Sequence, residues 1–171
     1  MVHGVLFAKD AWDLNKVEGS GDGTSGVHFR HEVRSAFGSG IMLQELYLTP
    51  SLLSQENWDD VAAAASWARP LAPIFADVHW FGGDPAKGEV YGWAAWRDAA
   101  SDADALAGAV LTLRNPSSRV QTIHLDAAVV FELPPHAPAE VKLHTPFGDQ
   151  QPRELTLHAG QAVPLEMHPF A

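Results

Sequence analysis

Cysteine is missing altogether from this 171-residue chain, which excludes disulfides, thiolate metal sites and a cysteine nucleophile. Basic residues are scarce: 11 Lys and Arg stand against 21 Asp and Glu, a formal net charge of −10. No Lys/Arg cluster interrupts that balance, so neither nucleic-acid phosphates nor an anionic membrane surface finds a basic footprint. Long apolar runs are lacking too, and none approaches the ~20 residues of a membrane span. The opening "MVHGVLFAKDAWDL" carries neither the basic n-region nor the apolar h-region of a signal peptide; the residues leave the compartment open. Neutral partners, carbohydrates among them, are compatible with all of these absences.

What is present is ordinary globular material. Hydrophobic residues make up 46% and charged residues 19%, enough to bury a core and far from a disordered composition. Residues 1–50 mix short apolar runs with the loose "NKVEGSGDGTSGVHFRHE", whose Gly, Ser and Asp favour turns. In this zone "VLFA" (5–8) reads as a short buried strand, and "SGIMLQELYL" (39–48) fits strand or helix. Residues 54–69 form the clearest helix. Ser54 stands at its N-cap, Glu56, Asp59 and Asp60 lie near its positive end, and Pro70 and Pro73 stop it. Trp58, Val61, Ala62, Ala65 and Ala68 are its expected apolar stripe.

From about residue 76 the pattern changes to period two. "EVYGWAAW" (89–96), "GAVLTLRN" (108–115), "VQTIHLD" (120–126), "VVFEL" (129–133), "EVKLH" (140–144), "RELTLH" (153–158) and "AVPLEM" (162–167) follow one another, separated by Pro, Gly, Asn and Asp turns. Short strands at this spacing predict an antiparallel β-sandwich. "DAASDADALAG" (98–108) interrupts them as a long loop or helical turn. The fold class expected is therefore α+β, mainly β: a strand-and-helix segment over residues 1–75 and a sandwich over 76–171.

Two stretches also resemble a known family. Gly82-Gly83-Asp84-Pro85-Ala86-Lys87-Gly88-Glu89-Val90-Tyr91-Gly92-Trp93 and Leu113-Arg114-Asn115-Pro116-Ser117 are similar to the C-terminal part of large bacterial α-galactosidase-like barrel glycoside hydrolases, many of which carry an enterotoxin label. A looser likeness runs from about Val2 to Phe170. The resemblance implies that residues 1–75 correspond to the last barrel strand and helix, and that the sandwich is the domain following the barrel. It implies a secreted or periplasmic parent. The family continues after "PF" with another apolar strand, and its catalytic carboxylates lie on middle barrel strands with no counterpart here. No catalytic residue is carried over, and the expected role is a non-catalytic accessory module that supports the barrel and contacts carbohydrate.

Candidate site residues are weighed on their own chemistry. Trp80, Tyr91, Trp93 and Trp96 crowd around one Gly/Pro turn. Exposed rings would offer flat apolar faces to a pyranose, with polar tips for hydrogen bonds; buried ones would form core or seal the join between the two zones, which the sequence favours. The reading places Trp93 on the opposite strand face from Tyr91 and Gly92 and lets at most two of the four rings share a face on that strand; in the exposed alternative, Trp80 and Trp96 are the open pair. Asp77, His79 and Asp84 are the candidates for a small free-standing hydrolase of glycosidase or esterase type, in a groove between helix and sandwich. Asp77 and His79 would share a strand face, and Asp84 equally suits a turn cap. Asp10, Asp13 and Glu45 are further carboxylates, but no spacing selects the pair that glycoside hydrolysis needs. His28 and His31, at i and i+3, would converge on a metal only on a helix, which the Gly-rich lead-in disfavours. Ser39 in "FGSGI" lacks the flanking pattern of a nucleophile elbow. Nothing implies a cofactor. Self-association through residues 1–72 is expected, because the apolar face of the helix is short of neighbours there.

Overall fold

A computed structural model describes residues 3–8, 25–40, 43–98, 106–169 and 171 of the chain. It is α+β and mainly β, and it divides into two units, Met1–Ala72 and Pro73–Pro169 with Ala171.

In the first unit, β1 (His3–Ala8) and β2 (Leu43–Leu48) pair in parallel, with His3 opposite Leu43 and Ala8 opposite Leu48. Parallel strands need a crossover, and α1 (Ser25–Gly38) lies between them in sequence. The ambiguous 39–48 run is thus a strand from Leu43, and the helix that the Gly-rich lead-in argued against does form. Its buried Phe29, Val33 and Phe37 recur every four residues. Tertiary packing of such a face outweighs weak intrinsic propensity. α1 packs along α2 (Gln55–Ala68), and Arg30 ties the two helices through Asp60 (Nε–Oδ1 2.8 Å) and Glu56 (NH2–Oε1 2.6 Å).

α2 starts where the sequence places it, at the Ser54 cap. The stripe it buries is different: Asn57, Val61, Ala64 and Ala68, while Trp58 is 37% exposed. The cap explains the rotation. Asn57 N donates to Ser54 Oγ at 3.2 Å and Ser54 N donates back to Asn57 Oδ1 at 3.0 Å, a capping box with Asn in the usual Glu/Gln position. Asn57 is drawn inward by that exchange, and the buried face follows it.

The second unit is antiparallel throughout. β3 (His79–Gly82), β4 (Tyr91–Arg97) and β5 (Gly108–Arg114) form one sheet; β6 (Gln121–Leu125) pairs with β9 (Val163–Met167), and β7 (Glu140–His144) with β8 (Glu154–His158). Side chains from all three sheets meet in one sandwich-like core, with Ala94, Leu125, Val141 and Leu157 buried and Leu111, Leu113 and Ile123 packed against them. Strand alternation is as the sequence predicts: Thr122 and His124 are exposed between core-facing neighbours.

One expected strand is not a strand. "VVFEL" (129–133) contains the end of a single helical turn, α3 (Ala127–Val130), capped by Asp126, whose Oδ1 accepts from Ala128 N at 2.9 Å and from Gly160 N at 3.0 Å. Consecutive Val130 and Phe131 are both buried while Val129 is 64% exposed, a pattern no half-buried strand can give. The 98–108 interruption falls largely on 99–105, outside the described residues.

Asn115 is fully buried where β5, β6 and β9 end. Its Nδ2 donates to the carbonyls of Arg119 (2.8 Å), Met167 (3.1 Å) and His168 (3.0 Å). Its Oδ1 accepts from Ser117 N and Gln121 Nε2, and Gln121 Nε2 also reaches Gly88 O in the β3–β4 connection at 2.7 Å. The strand ends and that hairpin are thereby joined through two side-chain amides, those of Asn115 and Gln121.

Candidate functional site

The β3–β4 hairpin is set by glycine geometry. Gly82 has φ +94°, and a Cβ there would come within 2.7 Å of Val90 O; a Cβ on Gly92 would run into the Thr112 carbonyl. Only glycine fits where backbones approach this closely. Gly83 N donates to Val90 O at 2.7 Å, and Glu89 Oε2 accepts from Asp84 N at 2.8 Å. Asp84 Oδ1 accepts from Ala86 N at 2.9 Å, and Lys87 Nζ stands 3.7 Å from Asp84 Oδ2. Asp84 is therefore a turn cap with a cation beside it, and it is not among the residues lining the cleft described below.

This hairpin brings Trp80, Tyr91 and Trp93 onto one face. Trp80 lies across from Trp93 in the ladder and Gly82 across from Tyr91. The Trp80 and Tyr91 rings stack with centroids 5.0 Å apart and planes 8° from parallel. Trp93 stands edge-on to both, at 5.7 Å and 80° from Trp80 and 5.6 Å and 74° from Tyr91. The expectation that Trp93 faces away from Tyr91 is corrected. Tyr91 and Trp93 are two residues apart, so the pleat puts them on the same side, and Gly92 between them points the other way. Trp80 is 49% exposed, against the burial that the sequence favours for the rings. Trp96 is not its exposed companion: it is half-buried and packs with Phe81 against the sandwich core.

Where β3 starts and β4 ends, an open cleft of about 580 Å³ lies within the second unit. Its apolar wall is Pro73, Ile74, Trp96, Phe131 and Pro134; its polar groups are Asp77, His79, Arg97, Asp98 and Glu132. Asp77 closes the 3-10 turn Phe75–Asp77 and precedes β3, so the shared strand face expected for Asp77 and His79 does not exist. His79 Nε2 donates to Val130 O at 2.9 Å, which commits that nitrogen to the backbone. Arg97 donates from NH1 to Pro73 O at 3.3 Å, and Asp98 Oδ2 pairs with His136 Nε2 at 3.0 Å. Arg97, Asp98 and Glu132 were not singled out by sequence reading. Arg97 and Asp98 follow the apolar run of β4 as ordinary strand-end charges, and Glu132 was placed on a strand that is not there.

The remaining candidates stay apart. His28 and His31 both fall on α1, and among the described residues no group of three or more His, Asp or Glu is placed to hold a metal ion. Ser39 is buried and its Oγ donates to Ala36 O at 2.9 Å, an arrangement unsuited to a nucleophile. The hydrogen bond between Tyr47 and Glu45, with the nearby carboxylate charge, pushes the Tyr47 phenol above its usual range. Asp10 and Asp13 lie outside the described residues.

No protein family, curated protein or solved structure matches this chain. Among the described residues no helix is long and apolar enough to cross a membrane.

Proposed function

We propose that this chain is a non-catalytic accessory module of a glycoside hydrolase, whose sandwich unit contacts a neutral glycan through the Trp80–Tyr91–Trp93 face. The observation that carries the reading is the gathering of three rings on one hairpin face with Trp80 half open to solvent. Stacking on Tyr91 and the edge of Trp93 hold the Trp80 plane in place, so little rotamer freedom is lost when a pyranose settles on it. The stretch that resembles α-galactosidase-like hydrolases, Gly82 to Trp93, forms the turn of this hairpin and supplies Tyr91 and Trp93. The excess of acidic residues suits an uncharged ligand better than a polyanion.

Titration calorimetry with a panel of galactosides and other neutral glycans tests it. Binding is expected, with Trp80→Ala losing about tenfold or more in affinity at unchanged thermal midpoint. Absence of binding across the panel, or a Trp80→Ala variant that binds as well as the parent, rejects the reading. No turnover of an aryl α-galactoside is expected; turnover abolished by substituting one acidic residue would make the chain an enzyme.

A second reading, self-association through residues 1–72, draws on β2, where Leu43 (46%), Leu46 (43%) and Tyr47 (49%) are all exposed.

A further inference from the structure

None of Trp80, Tyr91 and Trp93 lines the cleft, which is therefore a different place from the ring face. His79 and Trp96 point to the side where Phe81 and Ala94 meet the core, and Trp80, Tyr91 and Trp93 to the other. Its volume of about 580 Å³ falls in the ordinary range of small-molecule sites.

The charges in it are of both signs and are not spent on one another. Arg97 is half-buried, steadied by the Pro73 carbonyl, and among the described residues no carboxylate stands within ion-pair distance of it. Asp77 and Glu132 line the same cleft, and neither is in an ion pair with a described residue. Glu132 is held at φ +48°, the one non-glycine position of positive φ among the described residues. Glycine takes that conformation without strain, so a glutamate there costs stability that glycine would not. The apolar wall of Trp96, Phe131 and Pro134 faces these groups.

We propose that this cleft binds a small zwitterion, a free α-amino acid with an apolar side chain. The Arg97 guanidinium would take the ligand carboxylate as a charge-assisted pair. Glu132 and Asp77 take the ammonium, and the side chain lies on the Trp96–Phe131 wall. A neutral polyol would bring no charge to the guanidinium, whereas a ligand carrying both signs sets a carboxylate against Arg97 and one ammonium between the exposed carboxylates of Glu132 and Asp77.

Calorimetric titration of the intact chain with L-leucine, leucinamide, N-acetyl-leucine and galactose tests the proposal. Leucine binds. Leucinamide, without the carboxylate, and N-acetyl-leucine, without the ammonium, each bind at least about tenfold more weakly. Arg97→Gln and Glu132→Gln lose leucine to a similar extent. Glu132→Gly also loses leucine while its thermal midpoint rises, because the strained backbone is relieved. Trp80→Ala leaves leucine binding unchanged, which keeps this outcome separate from that of the glycan reading. The proposal is overturned by any of three results: no leucine binding at millimolar concentration, charge-blocked forms or galactose binding as well as leucine, or Glu132→Gly retaining full affinity.

Discussion

Asn115 is the single side chain on which most of the second unit converges. Fully buried, it gives two N–H groups to three carbonyls from two chain segments and takes two donors on its oxygen. Leaving these partly buried carbonyls and donors unmet costs about 1–3 kcal/mol for each group not rescued by water. Asn115→Ala is therefore expected to lower stability by about 3 kcal/mol in urea unfolding, without changing which strands form. Asn115→Asp is worse at neutral pH, because it aims a carboxylate at the Arg119, Met167 and His168 carbonyls. Its acid form is favoured in the folded chain, so the folded pKa lies above the unfolded value. The deficit then shrinks as pH falls into mild acid and grows as pH rises. An Asn115→Asp variant as stable as the parent at neutral pH would show that the hub is not load-sharing in this way. From the sequence, Asn115-Pro116-Ser117-Ser118 reads as a turn. The turn is there, but the reach of its amide to His168 is a long-range fact that local chemistry does not encode.

At the level of elements, what could be read depended on whether neighbours in sequence or neighbours in space set the structure. β5, β6, β7, β8 and β9 were legible because alternation of apolar and polar residues follows from one buried face. The start of α2 was legible because a cap is local. Its buried face was not, since the reciprocal Ser54–Asn57 bonds turn Asn57 inward and leave Trp58 outside. α3 was misread because Asp126 acts on the next two residues as a cap, against four hydrophobic residues that suit a strand equally well by composition. The ring face failed on a simple point of pleat geometry at Tyr91 and Trp93; of the cleft only Asp77 and His79 were named, because Arg97 and Glu132 join them only through strand pairing and the α3 turn. The cap of α2 gives a prediction at this scale. Ser54→Ala leaves the Asn57 N–H without its acceptor, while the bond from the Ser54 backbone N–H to Asn57 Oδ1 remains, and costs about 1 kcal/mol. The loss is read as a lower urea midpoint, with faster amide exchange confined to the first turn of α2. Exchange accelerated evenly along α1 and α2 would mean that the cap does not act locally.

For the molecule as a whole, the two units differ in how well their strands are enclosed. The antiparallel strands close on a core drawn from all three sheets, and one wetted face is normal for such strands. The parallel pair β1–β2 has two strands among the described residues, and parallel sheets are ordinarily covered on both faces. On β2 the exposed side chains fall on both faces: Leu46 on one, Leu43 and Tyr47 on the other. Apolar surface in that position favours association at about 25 cal/mol per Å² removed from water, and the gain is insensitive to salt, unlike contacts between charges. A net charge of −10 opposes association of copies by repulsion, so added salt should strengthen it if the apolar strand is the contact. Sedimentation equilibrium is then expected to show a weight-average mass that rises with concentration and rises further with salt. Leu46→Lys, which places a charge on one face without touching the α1–α2 packing, is expected to return the chain to its monomer mass with circular dichroism unchanged. A monomer at every concentration and salt level removes the self-association reading. A Leu46→Lys variant that associates like the parent excludes the Leu46 face as the contact and leaves that of Leu43 and Tyr47.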